Sequence, residues 1–488
     1  MRKAARRIDS LARKALVAST WHRRSLSISS LRHQRLASSA ATDFASSPSA
    51  PLSTTKPSLG SAKADRVPLS DSEGPLSAED VAINHYAHFN PTPMSIKQFL
   101  DFGKSLSTNG KEFCAQSSFE FLRTELPVRL ANIMKEIQLL PQNLQSQPST
   151  KIVQHWYRQS FLDVIKYADA DPHERKVVAK FTEDLAKIRN RHTLVVETMA
   201  QGVIELRKAL LDEGKPVMDS ATRMSIQYFL DRFYMMRISI RMLITQHTML
   251  FGNELPFSAR HIGTIDPECD IQAVIEDAYT NARALCETNY EKYPELRLQC
   301  INTVEEGVPA KMVYVPSHLF HISFELFKNA MRAVCERSTE PLGIADAHLP
   351  PIDVVIVKTA EDVTIKMSDF GGGIPQSNMP KLFDYMFSTA PTPLGGEVEP
   401  GQNVPAMAGY GYGLPLSRLY ARYFHGDLQV YSVHGYGTDA LIYLKTLSDS
   451  ASELLPVFNK SVMKQYRAQR THGWSSSTSK FGQLVEWG

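Results

Sequence analysis

At 488 residues the chain is long enough for two or three domains, and 43% hydrophobic with 9% aromatic content belongs to a packed globular protein, not a disordered one. The net charge of +3 is uneven: residues 1–60 hold eleven Lys and Arg against Asp9 and Asp43, which leaves −6 on the remainder. A mildly acidic body argues against a nucleic-acid binder working through phosphate contacts, and with no apolar run of about 18 residues there is no membrane span to argue for.

At the start of the chain Ile8, Leu11, Ala12 and Ala15 recur at helical spacing, with Lys3, Arg6, Arg7, Arg13 and Lys14 opposite them. This Arg- and Ser-rich, acid-poor amphipathic pattern is the signature of a mitochondrial transit peptide, assigned to residues 1–36. Residues 37–84, rich in Ser, Ala and Pro and without apolar periodicity, read as a flexible linker.

Residues 85–261 read as an up-down helical bundle. In 119–140 Pro127 is expected to kink or break the helix, 181–206 reads as one long amphipathic helix, and 225–250, apolar on more than one face, as the buried member. His247 on that helix could suggest a phospho-accepting histidine, but Thr248 and Met249 follow it where an acidic residue is normal, so it reads as structural. Cys114, Cys269, Cys286, Cys300 and Cys335 form no C-x-x-C pair and read as buried thiols of a reducing compartment, with no disulfide framework or zinc site.

Residues 262–450 change to an α/β pattern, followed by a C-terminal tail at 451–488. "IDVVIVKTAEDVTIKMSD" (352–369) alternates as two strands about a Glu361-Asp362 turn, so Asp369 stands at a strand end. It opens "DFGGGIP", whose first three letters are those of the magnesium-binding motif of eukaryotic-type protein kinases. That fold needs a Gly-rich loop, a V-A-I-K lysine and an H-R-D loop upstream, and none is present.

The helix pattern before the hairpin, "SHLFHISFELFKNAMRAV", puts His321, Glu325, Lys328, Asn329 and Arg332 on one face, with apolar residues over the rest. A polar stripe on a helix otherwise fit for burial needs partners, and nucleotide and Mg²⁺ would supply them. Asp369 can accept from an adenine amine, and Gly371 and Gly373 let backbone approach a ligand. "GYGYGLP" sets Gly409, Gly411 and Gly413 directly before a helix beginning near Leu414, a phosphate site by its N-terminal amides.

In this order, E-x-x-x-N, D-x-G-x-G and G-x-G-x-G resemble the boxes of the Bergerat-fold ATPases. Within that group, "ELFKNAMRA", "LFDYMFSTAPTP", "GYGYGLPLSRLYARYFHGDLQVYSVHGYGTDALIYLK", "ELPVRLANIMKEI" and "TMAQGV" resemble the mitochondrial pyruvate dehydrogenase kinase family, from about Ser95 to about Tyr466. The resemblance implies a helical bundle followed by a histidine-kinase-like α/β sandwich, ATP and Mg²⁺ as cofactors, and transfer to a serine of the pyruvate dehydrogenase α subunit. It further implies a homodimer docked on lipoyl domains of the dihydrolipoyl acyltransferase core in the mitochondrial matrix. By the same resemblance Asn329 holds Mg²⁺, Glu325 is the general base and His321 tunes it, while Asp369 binds adenine. Lys328, Arg332, Ser388, Thr389, the lid residues Gly409, Tyr410, Gly411, Tyr412, Gly413 and Leu414, and Thr438 complete the nucleotide site. The sister kinase of the branched-chain 2-oxoacid dehydrogenase and a nucleotide-gated ATPase scaffold are the rival readings. Two positions depart from the family: Phe370 stands where most members have Arg, and Gly473-Trp474 replaces an Asp-Trp pair.

Overall fold

The computed structural model describes residues 77–214, 218–252, 260–339, 349–389, 411–447 and 451–458; the transit segment, most of the linker, Gly409, Tyr410 and Gly473-Trp474 lie outside them. The described residues from Ala82 onward form one compact unit. Helix α1 (Ala78–Tyr86) starts inside the segment expected to be linker. Its first turn has what a helix start needs: Ser77 Oγ accepts from Asp80 N (3.2 Å), and Glu79 and Asp80 face the positive end of the dipole.

The bundle is built from α2 (Ile96–Asn109), α3 (Lys111–Gln138), the single turn α4 (Gln142–Gln145), α5 (Pro148–Ile165), α6 (Arg175–Arg191), α7 (Val195–Asp212) and α8 (Ser220–Phe251). Two expectations are corrected. Pro127 does not break α3, because Leu122, Leu126 and Leu130 are buried on both sides of it and their packing carries the helix over one missing amide. The single helix expected over 181–206 is two, α6 and α7. The chain turns at His192, whose ring is drawn inward to Ser160 Oγ (3.0 Å) and whose carbonyl accepts from Arg237 (3.1 Å). Helix α8 is buried nearly all round, as its pattern requires, and packs on α3 and α6.

His247 is a structural histidine, with Nδ1 2.7 Å from Ser118 Oγ and Nε2 2.9 Å from Thr182 Oγ1. Burial pushes it down to about 3, and burial also brings His192 and His318 to about 3, helped by Arg237 and by His321 respectively. The folded state keeps these rings neutral, whereas the unfolded chain protonates them near pH 6.5. Their stabilising effect is therefore complete above pH 6.5 and lost below it, by up to about 1.4 kcal/mol per pH unit for each ring. The melting temperature is expected to fall between pH 7 and pH 5, and less steeply in His247→Gln. Parallel curves for the two proteins would contradict this.

The second domain contains β1 (Asp266–Asp270), α9 (Ile271–Tyr290), β2 (Leu296–Asn302), β3 (Lys311–Tyr314), α10 (Pro316–Thr339), β4 (Ile352–Lys358), β5 (Asp362–Asp369), α11 (Gly413–Tyr423), β6 (Asp427–Val433) and β7 (Gly437–Lys445). The sheet order is β2-β4-β5-β7-β6, parallel only between β2 and β4, and β1 pairs with β3 in a separate antiparallel ribbon. Ile352, Val354 and Ile356 of β4 and Val363, Ile365 and Met367 of β5 are buried while the residues between them are not, so helices cover one face. The fold is thus a helical bundle followed by a two-layer α/β sandwich.

Residues 451–458, expected to begin a separate tail, instead return to the bundle. Ala451 O accepts from Ile96 N (3.0 Å), Met94 O from Glu453 N (2.9 Å), and the Glu453 carboxylate from buried Arg129. Glu453 shows none of this in sequence, because its bundle partners Arg129 and Met94 lie more than 300 residues away. All five cysteines are free; Cys300 is half-buried and the others are buried, with Cys286 and Cys335 Sγ 3.6 Å apart.

Candidate nucleotide site

Helix α10 buries Leu319, Ile322, Leu326, Phe327, Met331 and Val334 and turns its polar stripe toward a cleft of about 630 Å³. Glu325, Lys328, Asn329 and Arg332 line one wall, Asp369, Gly371, Gly373 and Thr438 the end of the sheet, and Ser388, Thr389, Gly411, Gly413 and Leu414 the opposite wall. The structure therefore gathers residues that are more than 100 positions apart.

Glu325 Oε1 lies 2.7 Å from Lys328 Nζ. Its Oε2 faces the start of α11, where a Cβ on Gly413 would stand only 2.3 Å away. Glycine here leaves room for the carboxylate to lie against the helix N-terminus, whose free amides suit an anion. Across the cleft Arg332 donates to Thr389 Oγ1 (3.1 Å).

Asp369 ends β5, with Oδ1 accepting from Gly371 N (2.9 Å). Burial pushes its carboxyl up to about 6, against the opposing pull of the Gly371 and Thr438 amides. Gly373 has φ +69°, and a Cβ there would stand 2.1 Å from Val433 O, so only glycine lets this turn lie against the β6–β7 hairpin.

Two residues sit differently from the expectation. His321 is not on the cleft wall; it lies one turn before Glu325, with its ring 4.8 Å from that of Tyr420. Tyr412 turns away from the cleft, its ring 5.2 Å from Tyr385 and 5.9 Å from Tyr234, so only its backbone is available to a ligand. One residue was missed. Arg337 donates to Phe370 O (2.8 Å), Tyr436 O (2.9 Å) and Gly435 O (3.1 Å), clamping the glycine turn to the hairpin. It stands eight residues after Asn329, so the helical stripe continued to it.

Among the described residues no group of three or more His, Cys, Asp and Glu could hold a metal by itself. The cleft suits a different arrangement, in which one neutral amide oxygen, from Asn329, and the ligand's own phosphates share a hard cation.

Residues 314–448 match the family model described as histidine kinase-, DNA gyrase B-, and HSP90-like ATPase, and residues 93–266 that of mitochondrial branched-chain alpha-ketoacid dehydrogenase kinase. The mitochondrial pyruvate dehydrogenase (acetyl-transferring) kinase isozyme 1 of Rattus norvegicus is 51% identical over 397 residues, covering 81% of this chain and 87% of the relative. The chain belongs to the mitochondrial pyruvate dehydrogenase kinase family. The Drosophila melanogaster kinase is 53% identical over 397 residues (81% and 91% covered), and Homo sapiens isozyme 3 is 49% identical over 400 (82% and 94%). Residues 314–448 are accordingly an ATP-binding domain of the histidine-kinase-like ATPase type. The Phe370 departure has a local explanation: its ring meets Tyr436 edge-on at 5.6 Å, while its carbonyl is held by Arg337.

Proposed function

We propose that this chain is an ATP-dependent protein serine kinase that phosphorylates and inactivates the α subunit of the mitochondrial pyruvate dehydrogenase complex. The observation that carries the reading is Glu325, a carboxylate set between Lys328 and the start of α11 on the wall of an ATPase-type cleft. Phosphoryl transfer asks for positioning, charge neutralisation and a group to take the hydroxyl proton. Glu325 takes the serine proton, and Lys328 fixes the direction of its carboxylate. Asp369 accepts from the adenine amine, the amides at Gly411 and Gly413 receive phosphate, and Arg332 braces Thr389 over them. Asn329 would hold Mg²⁺, which when bound would supply charge neutralisation on the phosphates.

The kinase works as a homodimer in the mitochondrial matrix, docked on lipoyl domains of the acyltransferase core; the mitochondrial names of its relatives and the basic start of the chain support the compartment. The match of 93–266 to the branched-chain kinase model favours a second reading, action on the branched-chain complex. Adding the chain and MgATP to purified pyruvate dehydrogenase complex is expected to abolish the complex's activity progressively. Full activity after prolonged incubation would refute the proposal.

Asp369→Asn tests the nucleotide half. An amide offers the adenine amine a poorer acceptor, so the Kd for ATP is expected to rise at least tenfold. The same change should stabilise the ligand-free protein. A folded-state pKa of about 6, above the unfolded value, means that the buried ionised carboxylate costs stability at pH 7, by about 1–3 kcal/mol. ATP affinity of the unsubstituted chain is expected to fall as pH drops below 6. Isothermal titration and thermal melts check both; weaker binding together with a lower melting temperature would contradict the assignment.

A further inference from the structure

The wall of the cleft formed by residues 387–389 and 411–414 is tied to the bundle. Gln227 on α8 uses both ends of its side-chain amide on one stretch of that wall's backbone: Nε2 donates to Phe383 O (2.9 Å) and Oε1 accepts from Tyr385 N (2.9 Å). The chain then passes through Met386 at φ 64°, a costly conformation for a non-glycine residue, and enters the cleft at Phe387. Tyr385 continues the attachment, its hydroxyl donating to Asp231 Oδ1 (2.9 Å) one turn along α8 and its ring lying 5.6 Å from Tyr234. Tyr412, between the two phosphate-site glycines, packs on the same two rings. The two stretches also touch each other, since a Cβ on Gly411 would stand 2.6 Å from Phe387 O.

We infer that Gln227 is a positioning residue for the nucleotide. It lines no part of the cleft, yet it holds the 383–387 backbone at a fixed place on α8. From there Phe387, Ser388 and Thr389 on one side and Gly411 and Gly413 on the other are set over the phosphates. A side-chain amide is apt for this, because its one donor and one acceptor copy the pairing of a neighbouring strand and a carboxylate or alkyl group cannot. The inference rests on the proposed ATP site.

The test titrates full-length protein with a fluorescent ADP analogue, measures kcat and KM for ATP, and records thermal melts without nucleotide. Gln227→Ala loses two hydrogen bonds and is expected to raise both the Kd of the analogue and the KM for ATP about tenfold. The value of kcat at saturating ATP and the ligand-free melting temperature should stay close to those of the unsubstituted chain. Gln227→Glu, of the same shape but without the donor to Phe383 O, should lose affinity similarly. Tyr385→Phe, which keeps the ring packing, should lose about threefold and guards against a folding defect in the other two. Unchanged affinity in Gln227→Ala would overturn the inference, as would an affinity loss matched by an equal loss of ligand-free melting temperature in all three variants. Failure of the unsubstituted chain to bind the analogue would instead overturn the ATP site.

Discussion

Glu325→Gln is expected to leave ATP bound and to slow phosphoryl transfer roughly a hundredfold or more, the usual scale for a positioned general base. Glutamine keeps the shape that fits against Gly413 and can still meet Lys328, so the cleft should persist. What disappears is the capacity to take a proton, which is needed in the transition state and little in the ground state. The proposed adenine contact at Asp369 and the proposed phosphate contacts at the start of α11 should be untouched. Single-turnover transfer and nucleotide titration on the same preparation separate the two effects. If Glu325→Gln lost ATP affinity as severely as Asp369→Asn and turned over normally at saturation, Glu325 would be a nucleotide contact and not the base.

Arg129→Ala is expected to cost about 3–5 kcal/mol of stability, the range for removing one partner of a buried ion pair. The Arg129 guanidinium is fully buried and bonds Glu125 Oε1 (2.7 Å), Glu453 Oε1 (2.9 Å) and Oε2 (2.8 Å), and Thr92 O (2.7 Å). Tyr423 at the end of α11 donates to Glu453, as does Met94 N (2.9 Å). Without the arginine two buried carboxylates face each other with no cation between them. Because Glu453 lies beyond the sheet, Arg129 in the bundle, and Tyr423 on the helix that opens at the cleft, the loss loosens the junction of the two domains. Urea unfolding measures it, and Glu453→Gln, which keeps most of the hydrogen bonds, should cost less. A destabilisation under about 1 kcal/mol would show that the network contributes little.

The site was legible in sequence where the chemistry is local. Glu325 and Asn329 share a helix face by periodicity, Asp369 ends an alternating strand, and Gly371, Gly373 and Gly411 stand where only a residue without Cβ can meet its neighbour. What escaped depends on distant partners. The break at His192 needs Ser160 and Arg237, the continuity of α3 through Pro127 needs its packed leucines, and the return of residues 451–458 needs Arg129. Tyr412 looked like a lid residue because of its glycine neighbours, but its ring is claimed by Tyr234 and Tyr385. Gln227 carries no motif at all; its role exists only once α8 lies beside Phe383 and Tyr385.

The most direct measurement incubates the protein with MgATP labelled at the γ-phosphate, once with purified pyruvate dehydrogenase complex and once with the branched-chain complex, with Glu325→Gln as control. Label is expected on serine of the pyruvate dehydrogenase α subunit, in step with loss of that complex's activity, with little on the branched-chain complex and little from the control. Label confined to the branched-chain complex, or ATP consumed with neither complex labelled, would contradict the proposed function.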